Sequence, residues 1–416
     1  MASGNPQRLL ERFLRYVQID TTAQESAGTY PSCEGQWELG RLLVEELHAA
    51  GVERIEHTQH GLIYAWLAPS QGVDSVPVAL LAHLDTSPET TGRGVKPQVV
   101  RNYAGGDIRL PNAEALWIRE AENPELTKLR GCTLITTDGR TLLGADDKAG
   151  VAVIMEIVER LGEQPHRRHG PVRVLFTCDE EIGRGVEFVD LEKLGARVAY
   201  TLDGHGADEV DVETFSADLA LIRVRGRNIH PSIAKGRMVN ALRGAARFLE
   251  RLPREILAPE STEGRQGFLH PYQIQGGVGE VTLRVLLRDF KTSKLSEYAG
   301  WLRTEAARVE AEFPGLSIDV QIQRQYRNLR DGLSREPRAV QFALEAYRRL
   351  GREPRETIVR GGTDGALLSE RGLPTPNLSC GQHNPHSPLE WACLEEMEQA
   401  VQVVLELLAL WSDVRE

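Results

Sequence analysis

Four short apolar runs in this chain each lead into a carboxylate or an imidazole. Val76 to Leu81 runs into His83 and Asp85, and Leu142 to Gly144 into Asp146. Val172 to Phe176 meets Asp179-Glu180-Glu181, and Val198 to Leu202 meets Asp203. Short β-branched and aliphatic runs separated by helical patterns predict an α/β fold whose parallel strands are buried on both faces. Ligands of such sheets bind at the carboxyl ends of the strands. The pattern therefore predicts several acids and an imidazole in one crevice, a concentration of charge that cations must neutralise. Oxygen and imidazole donors without thiolate suit zinc, cobalt or manganese in an open catalytic site.

Taken singly, each element has an ordinary reading. A histidine after a buried strand is commonly a hydrogen-bonded rim residue, and Asp146 could cap the helix that begins near Lys148. Glu180-Glu181 before Gly183 and Asp203-Gly204 could both be turns. It is their coincidence at one sheet edge that predicts a metal site.

Two apolar helical patterns precede the strands: Leu9, Leu10, Phe13, Leu14 and Val17, and then Trp37 to Ala50, stopped by Gly51. Val151 to Leu161 is apolar nearly all round, as in a helix buried on several sides. The rhythm changes near Asp211. Leu219–Val224, a helix from about Val239 to Leu252, Val281–Leu287, Lys294–Phe313 and Ser317–Gln323 read as strand-helix-strand-helix-strand, with half-exposed strands. Residues 213–326 are therefore expected to form an inserted α+β domain. Residues 1–212 and 327–416 are expected to form a catalytic α/β/α domain with a mostly parallel central sheet.

Composition narrows the partners. Across 416 residues, 60 acidic against 49 basic side chains give a formal charge of −11, which argues against nucleic acid or an anionic membrane as partner. No apolar stretch approaches the roughly 20 residues of a membrane span, and the first residues lack a leader's apolar core. The five cysteines are widely spaced with no C-x-x-C pair, which fits a reducing compartment and excludes a disulfide framework or a zinc ribbon. A cytoplasmic protein is expected. His166-Arg167-Arg168-His169 reads as a solvated connection, Gly183-Arg184-Gly185 lacks a phosphate-loop ending, and no Gly-x-Ser-x-Gly elbow offers a serine nucleophile.

Longer motifs carry a resemblance. Ala82-His83-Leu84-Asp85-Thr86-Ser87-Pro88, Leu143-Gly144-Ala145-Asp146-Asp147-Lys148-Ala149-Gly150, Asp179-Glu180-Glu181-Ile182-Gly183 and Tyr200-Thr201-Leu202-Asp203-Gly204 resemble the successive metal motifs of the peptidase T group. These are tripeptide aminopeptidases within the co-catalytic dizinc exopeptidase and deacylase family. Glu34-Gly35-Gln36-Trp37, Leu134 to Gly139, Arg288-Asp289-Phe290 and Arg360-Gly361-Gly362-Thr363-Asp364-Gly365 extend the similarity over nearly the whole chain.

The resemblance implies two zinc ions per subunit, with cobalt or manganese as alternatives. His83, Asp146 and Asp203 would hold one, and Asp146, Glu181 and His386 the other, with Asp146 bridging. His386 rather than His383 is implied by Glu390-Trp391 following it. His383 departs from the group's pattern and is either a substrate-side group or a polar loop residue. Glu180 would be the general base, and Asp85 would fix the His83 tautomer. The inserted domain would be a lid and a homodimer surface, with His230 an oxyanion donor completing the partner's site. Asn240 and Arg288 match substrate-contacting positions, and Arg288 could instead form a salt bridge on a solvated strand face. Arg360 begins a glycine-rich turn that either binds substrate or leads to a helix cap. The implied activity is removal of the N-terminal residue from short peptides, tripeptides foremost. An N-acyl-amino-acid deacylase or carboxypeptidase shares the site, and an inactive metal-binding scaffold is the reading from another class.

Overall fold

A computed structural model describes residues 5–113 and 115–415. The chain divides into two compact units: Met1–Val212 with Gly332–Thr357 and Arg371–Glu416, and Glu213–Asp331 with Ile358–Glu370. Among the described residues, no helix is long and apolar enough to cross a membrane.

The first unit is built on one large sheet. Its strands run in the spatial order Arg54–His57, Ile63–Leu67, Val172–Thr177, Val78–His83, Val198–His205, Asn377–His383, Trp391–Cys393, Leu134–Thr136 and Gln98–Val100. Along this order the parallel pairs lie at the centre, where Val78–His83 lies between Val172–Thr177 and Val198–His205, and the latter pairs with Asn377–His383. The flanking pairs are antiparallel. Every residue of Val78–His83 is buried, as its unbroken apolar run requires.

Helix Ala145–Glu163 packs against three of the central strands and is buried on nearly all sides. Gly150 permits this approach: a Cβ there would lie 1.9 Å from the carbonyl oxygen of Leu202. Helices Pro6–Val17, Glu34–Ala49, Arg338–Arg349 and Leu394–Trp411 complete the same apolar core. Some of the polar burial is satisfied in networks. Glu156, wholly buried, accepts from Arg8, Arg12 and Arg160. His169, expected in a solvated connection, is buried, its Nδ1 2.8 Å from the Gly170 carbonyl.

The second unit is an antiparallel sheet in the order Phe268–Gly276, Glu280–Asp289, Ser216–Arg225 and Ser317–Tyr326, covered by helices Ala241–Glu250 and Thr292–Glu312. It differs from the expected 213–326 by also taking in residues 358–370. The reason is local bonding: Phe215 N–H donates to Val359 O, and the Arg360 guanidinium donates to the carbonyls of Thr262, Gly264 and Gln266.

Candidate metal centre

The five residues expected to bind metal, together with Asp85 and Glu180, belong to the first unit. His83 closes its strand, and Asp203 lies towards the carboxyl end of the neighbouring one. Asp146 and Asp147 form a non-helical entry to their helix and are joined by a cis peptide bond. Gly150 N–H donates to Asp147 Oδ1 at 3.2 Å, so the side-chain cap at this helix start comes from Asp147 rather than Asp146. His386 sits in the loop between Asn377–His383 and Trp391–Cys393, with a φ of 64°.

These elements converge on the Asp146 carboxylate. Its Oδ1 lies 3.0 Å from His83 Nε2, and its Oδ2 lies 3.4 Å from His386 Nε2. His83 Nε2 also faces Asp203 Oδ1 at 3.8 Å, while His386 Nε2 faces Glu181 Oε2 at 2.9 Å. The result is two sets of three donors that share one carboxylate, one oxygen to each set.

A surrounding frame fixes this arrangement. Asp85 is wholly buried, and its two oxygens accept the backbone N–H groups of Glu180 and Glu181 at 3.0 and 3.1 Å. His83 Nδ1 is 3.1 Å from the Asp85 carbonyl oxygen and 3.4 Å from its Oδ1. Glu390 accepts from the backbone of Leu143, Gly144 and Asp146 at 2.6, 2.7 and 3.0 Å. Gln382 Nε2 donates to Asp203 Oδ1 at 3.0 Å, and Asp203 N–H donates to Asn377 Oδ1 at 3.0 Å. Asp179, which begins the turn carrying Glu180 and Glu181, accepts from Ser32 N–H at 2.8 Å and Gln36 Nε2 at 2.7 Å.

The donors fit a pair of divalent cations. Burial, then the charge of Asp146, pushes Glu181 up to about 7 and Asp203 well above the usual carboxylate range. Burial would also raise Asp146, but its bonds to His386 and His83 hold it well below that range. Burial opposes protonation of His386, yet Asp146 and Glu181 outweigh it and push the imidazole up to about 11. Protons thus carry the positive charge that the acids require, and cations can take their place. Glu181 Oε1 is buried without a hydrogen-bond partner, an acceptor that a cation satisfies. Oxygen and imidazole donors without sulfur are the set expected of zinc, cobalt or manganese.

His383 lies outside this cluster. It stacks on Trp391 with ring centroids 3.6 Å apart and bonds Glu396 Oε2 at 2.7 Å, so it is neither a solvated loop residue nor a member of the donor sets.

The remaining expected site residues belong to the second unit. His230 is exposed, its Nδ1 2.7 Å from Ser232 Oγ. Asn240 Oδ1 caps helix Ala241–Glu250 by accepting Leu242 N–H at 3.0 Å. Arg288 is buried rather than salt-bridged on a solvated face, donating to the carbonyls of Asp218 and Leu287. Arg360 makes four donations to backbone and hydroxyl oxygens of Thr262, Gly264 and Gln266, and its guanidinium stacks over Phe215 and Phe268.

The profile of peptidase family M20/M25/M40 matches residues 135–410. This chain belongs to that family. It is 43% identical over 403 residues to a protein named Peptidase T from Geobacillus sp. (strain WCH70), covering 97% of this chain and 98% of the relative. The fold is similar to that of a tripeptidase from Staphylococcus aureus, with a TM-score of 0.77 at 22% identity over 98% of this chain and 99% of the other. It also matches a dinuclear metal-binding M20 peptidase from Bacillus subtilis, with a TM-score of 0.65 at 16% identity over 98% of both chains.

Proposed function

We propose that this chain is a two-metal aminopeptidase that removes the N-terminal residue of short peptides, tripeptides foremost. The observation that carries the proposal is the pair of three-donor sets sharing Asp146. Membership of the peptidase family and the near full-length similarity to a Peptidase T support it. His83, Asp146 and Asp203 would hold one ion, and Asp146, Glu181 and His386 the other. Zinc is the ion proposed, with cobalt or manganese able to replace it. A homodimer in the cytoplasm, with short peptides rather than nucleic acid or membrane as its partner, completes the reading.

When bound, the two ions would polarise the scissile carbonyl and make water acidic enough to attack near neutral pH. Glu180 would be the general base that takes a proton from the attacking water and passes it to the departing amine. Its backbone is pinned by Asp85, which also lies against His83 Nδ1, so one carboxylate couples the base to the ligand. His230 is assigned as donor to the oxyanion of the tetrahedral intermediate in the site of a partner subunit. Asn240, Arg288 and Arg360 are assigned to substrate. The Oδ1 of Asn240 is committed to its cap, so contact there would use Nδ2. Arg288 and Arg360 would exchange a backbone carbonyl for a substrate oxygen.

The substrate panel separates this reading from a deacylase, a carboxypeptidase or an inactive scaffold. Metal-loaded protein is given a free tripeptide, its N-acetylated form and an N-acyl amino acid. Cleavage of the free tripeptide alone, releasing its first residue, is expected. Cleavage of the acylated compounds, release of the C-terminal residue, or inertness towards all would refute it.

A further inference from the structure

Cys132 and Cys393 are far apart in sequence and adjacent in space. Strand Trp391–Cys393 pairs antiparallel with Leu134–Thr136, with Cys393 opposite Leu134. Leu394 N–H then donates to Thr133 O at 3.0 Å, and Thr133 N–H to Glu395 Oε2 at 2.8 Å. This ladder draws Cys132 alongside the start of helix Leu394–Trp411. Cys132 Sγ, Cys393 Sγ and a Glu395 carboxylate oxygen lie within 4.8 Å of one another. Cys393 is fully buried, while Cys132 and Glu395 line a cavity of about 1040 Å³.

We propose that Cys132, Cys393 and Glu395 form a further metal site, separate from the Asp146 centre, for a thiophilic divalent cation of the zinc type. Two thiolates supply the softness that selects such ions, the carboxylate is a third, harder donor that zinc accepts, and the cavity leaves a fourth position open to water. Binding is balanced by loss of the two thiol protons to solvent as the two metal–sulfur bonds form. Without a cation, both thiols are held protonated: burial raises each, and Glu396 adds to it at Cys393 and Glu395 at Cys132. A bound cation reverses that electrostatic balance. The Cys393 thiol already faces Glu395 Oε2 at 3.6 Å, so the proton it offers is the one a metal replaces. Occupation would brace strand Trp391–Cys393, which follows the loop bearing His386 and Glu390.

Cobalt titration of the reduced holoenzyme tests the site, because the Asp146 centre has no sulfur donor. The expected result is one further cobalt equivalent per chain, accompanied by thiolate-to-cobalt charge-transfer absorption. Cys132→Ser, at a half-buried position, should keep peptidase activity, lose that absorption and weaken the extra uptake by at least about tenfold. Cys393→Ser should lose the absorption as well. Titration that ends without sulfur-based absorption would overturn the proposal. So would absorption unchanged in both variants, or a Cys132–Cys393 disulfide that persists under reductant.

Discussion

The carboxylate of Glu390 holds the backbone N–H of Asp146 at 3.0 Å. The residue whose two oxygens face two histidines is thus positioned by an acid from the other end of the chain. The same carboxylate takes the N–H groups of Leu143 and Gly144, and it is wholly buried. Glu390→Ala leaves three backbone donors unpaired, two of them buried, and should destabilise the protein by at least about 2 kcal/mol. Glu390→Gln keeps one acceptor oxygen and should be milder, while weakening metal retention. Denaturant unfolding and metal content after dialysis read the two effects separately. An alanine variant as stable as the parent would remove Glu390 from this role.

Glu180 tests the division of labour between neighbouring acids. Glu180→Gln should retain its full metal content while kcat falls by roughly 10²–10⁴-fold. Elemental analysis beside steady-state kinetics settles it. Metal lost in step with activity would make Glu180 a ligand and the general-base assignment wrong.

At Gly150 the test is steric. An added methyl would meet the Leu202 carbonyl oxygen at 1.9 Å and Asp147 Oδ1 at 2.4 Å. Backbone cannot swing aside as a flexible side chain can, so Gly150→Ala should cost about 1–3 kcal/mol or more. It should also weaken metal binding, because Leu202 precedes Asp203. A denaturation midpoint equal to that of the parent would contradict the close approach.

His383 gives a pH signature. Burial opposes its protonation, but Glu125 and Glu396 outweigh burial and raise its pKa, and His383 in turn lowers that of Glu125. A raised histidine contributes stability that is complete below the unfolded value of about 6.5 and is lost as pH rises through the folded value. A depressed glutamate contributes above its unfolded value of about 4.3 and loses that as pH falls through its folded value. The Tm deficit of His383→Gln should therefore be largest between those two unfolded values and shrink towards alkaline pH. A deficit that grows with pH would reverse the assignment.

Much of this fold is legible from sequence because parallel strands buried on both faces read as unbroken apolar runs. Val78–His83 is such a run and Val172–Thr177 is broken only by Arg173, and the acids stand out where each stops. Phe268–Gly276 escapes the same reading: it is a mostly exposed edge strand carrying Pro271 and little apolar periodicity. Gln98–Val100, Leu134–Thr136 and Trp391–Cys393 are too short to show a period. At the centre, donor residue types were visible, but the frame was not. The bonds from Glu390 to Asp146, from Gln382 to Asp203 and from Gln36 to Asp179 join distant segments. Only the helix start containing Gln36 and the Glu390-Trp391 pair leave any trace, through their motifs.

Metal stoichiometry of single ligand variants tests the central claim most directly. It is read in a Cys132→Ser background so that sulfur ligation does not enter the count. Two ions per chain are expected in the parent, one in Asp203→Ala and one in His386→Ala, with the double variant and Asp146→Ala losing both. Two ions retained in Asp146→Ala, or one ion left in the double variant, would contradict a shared carboxylate between two metals.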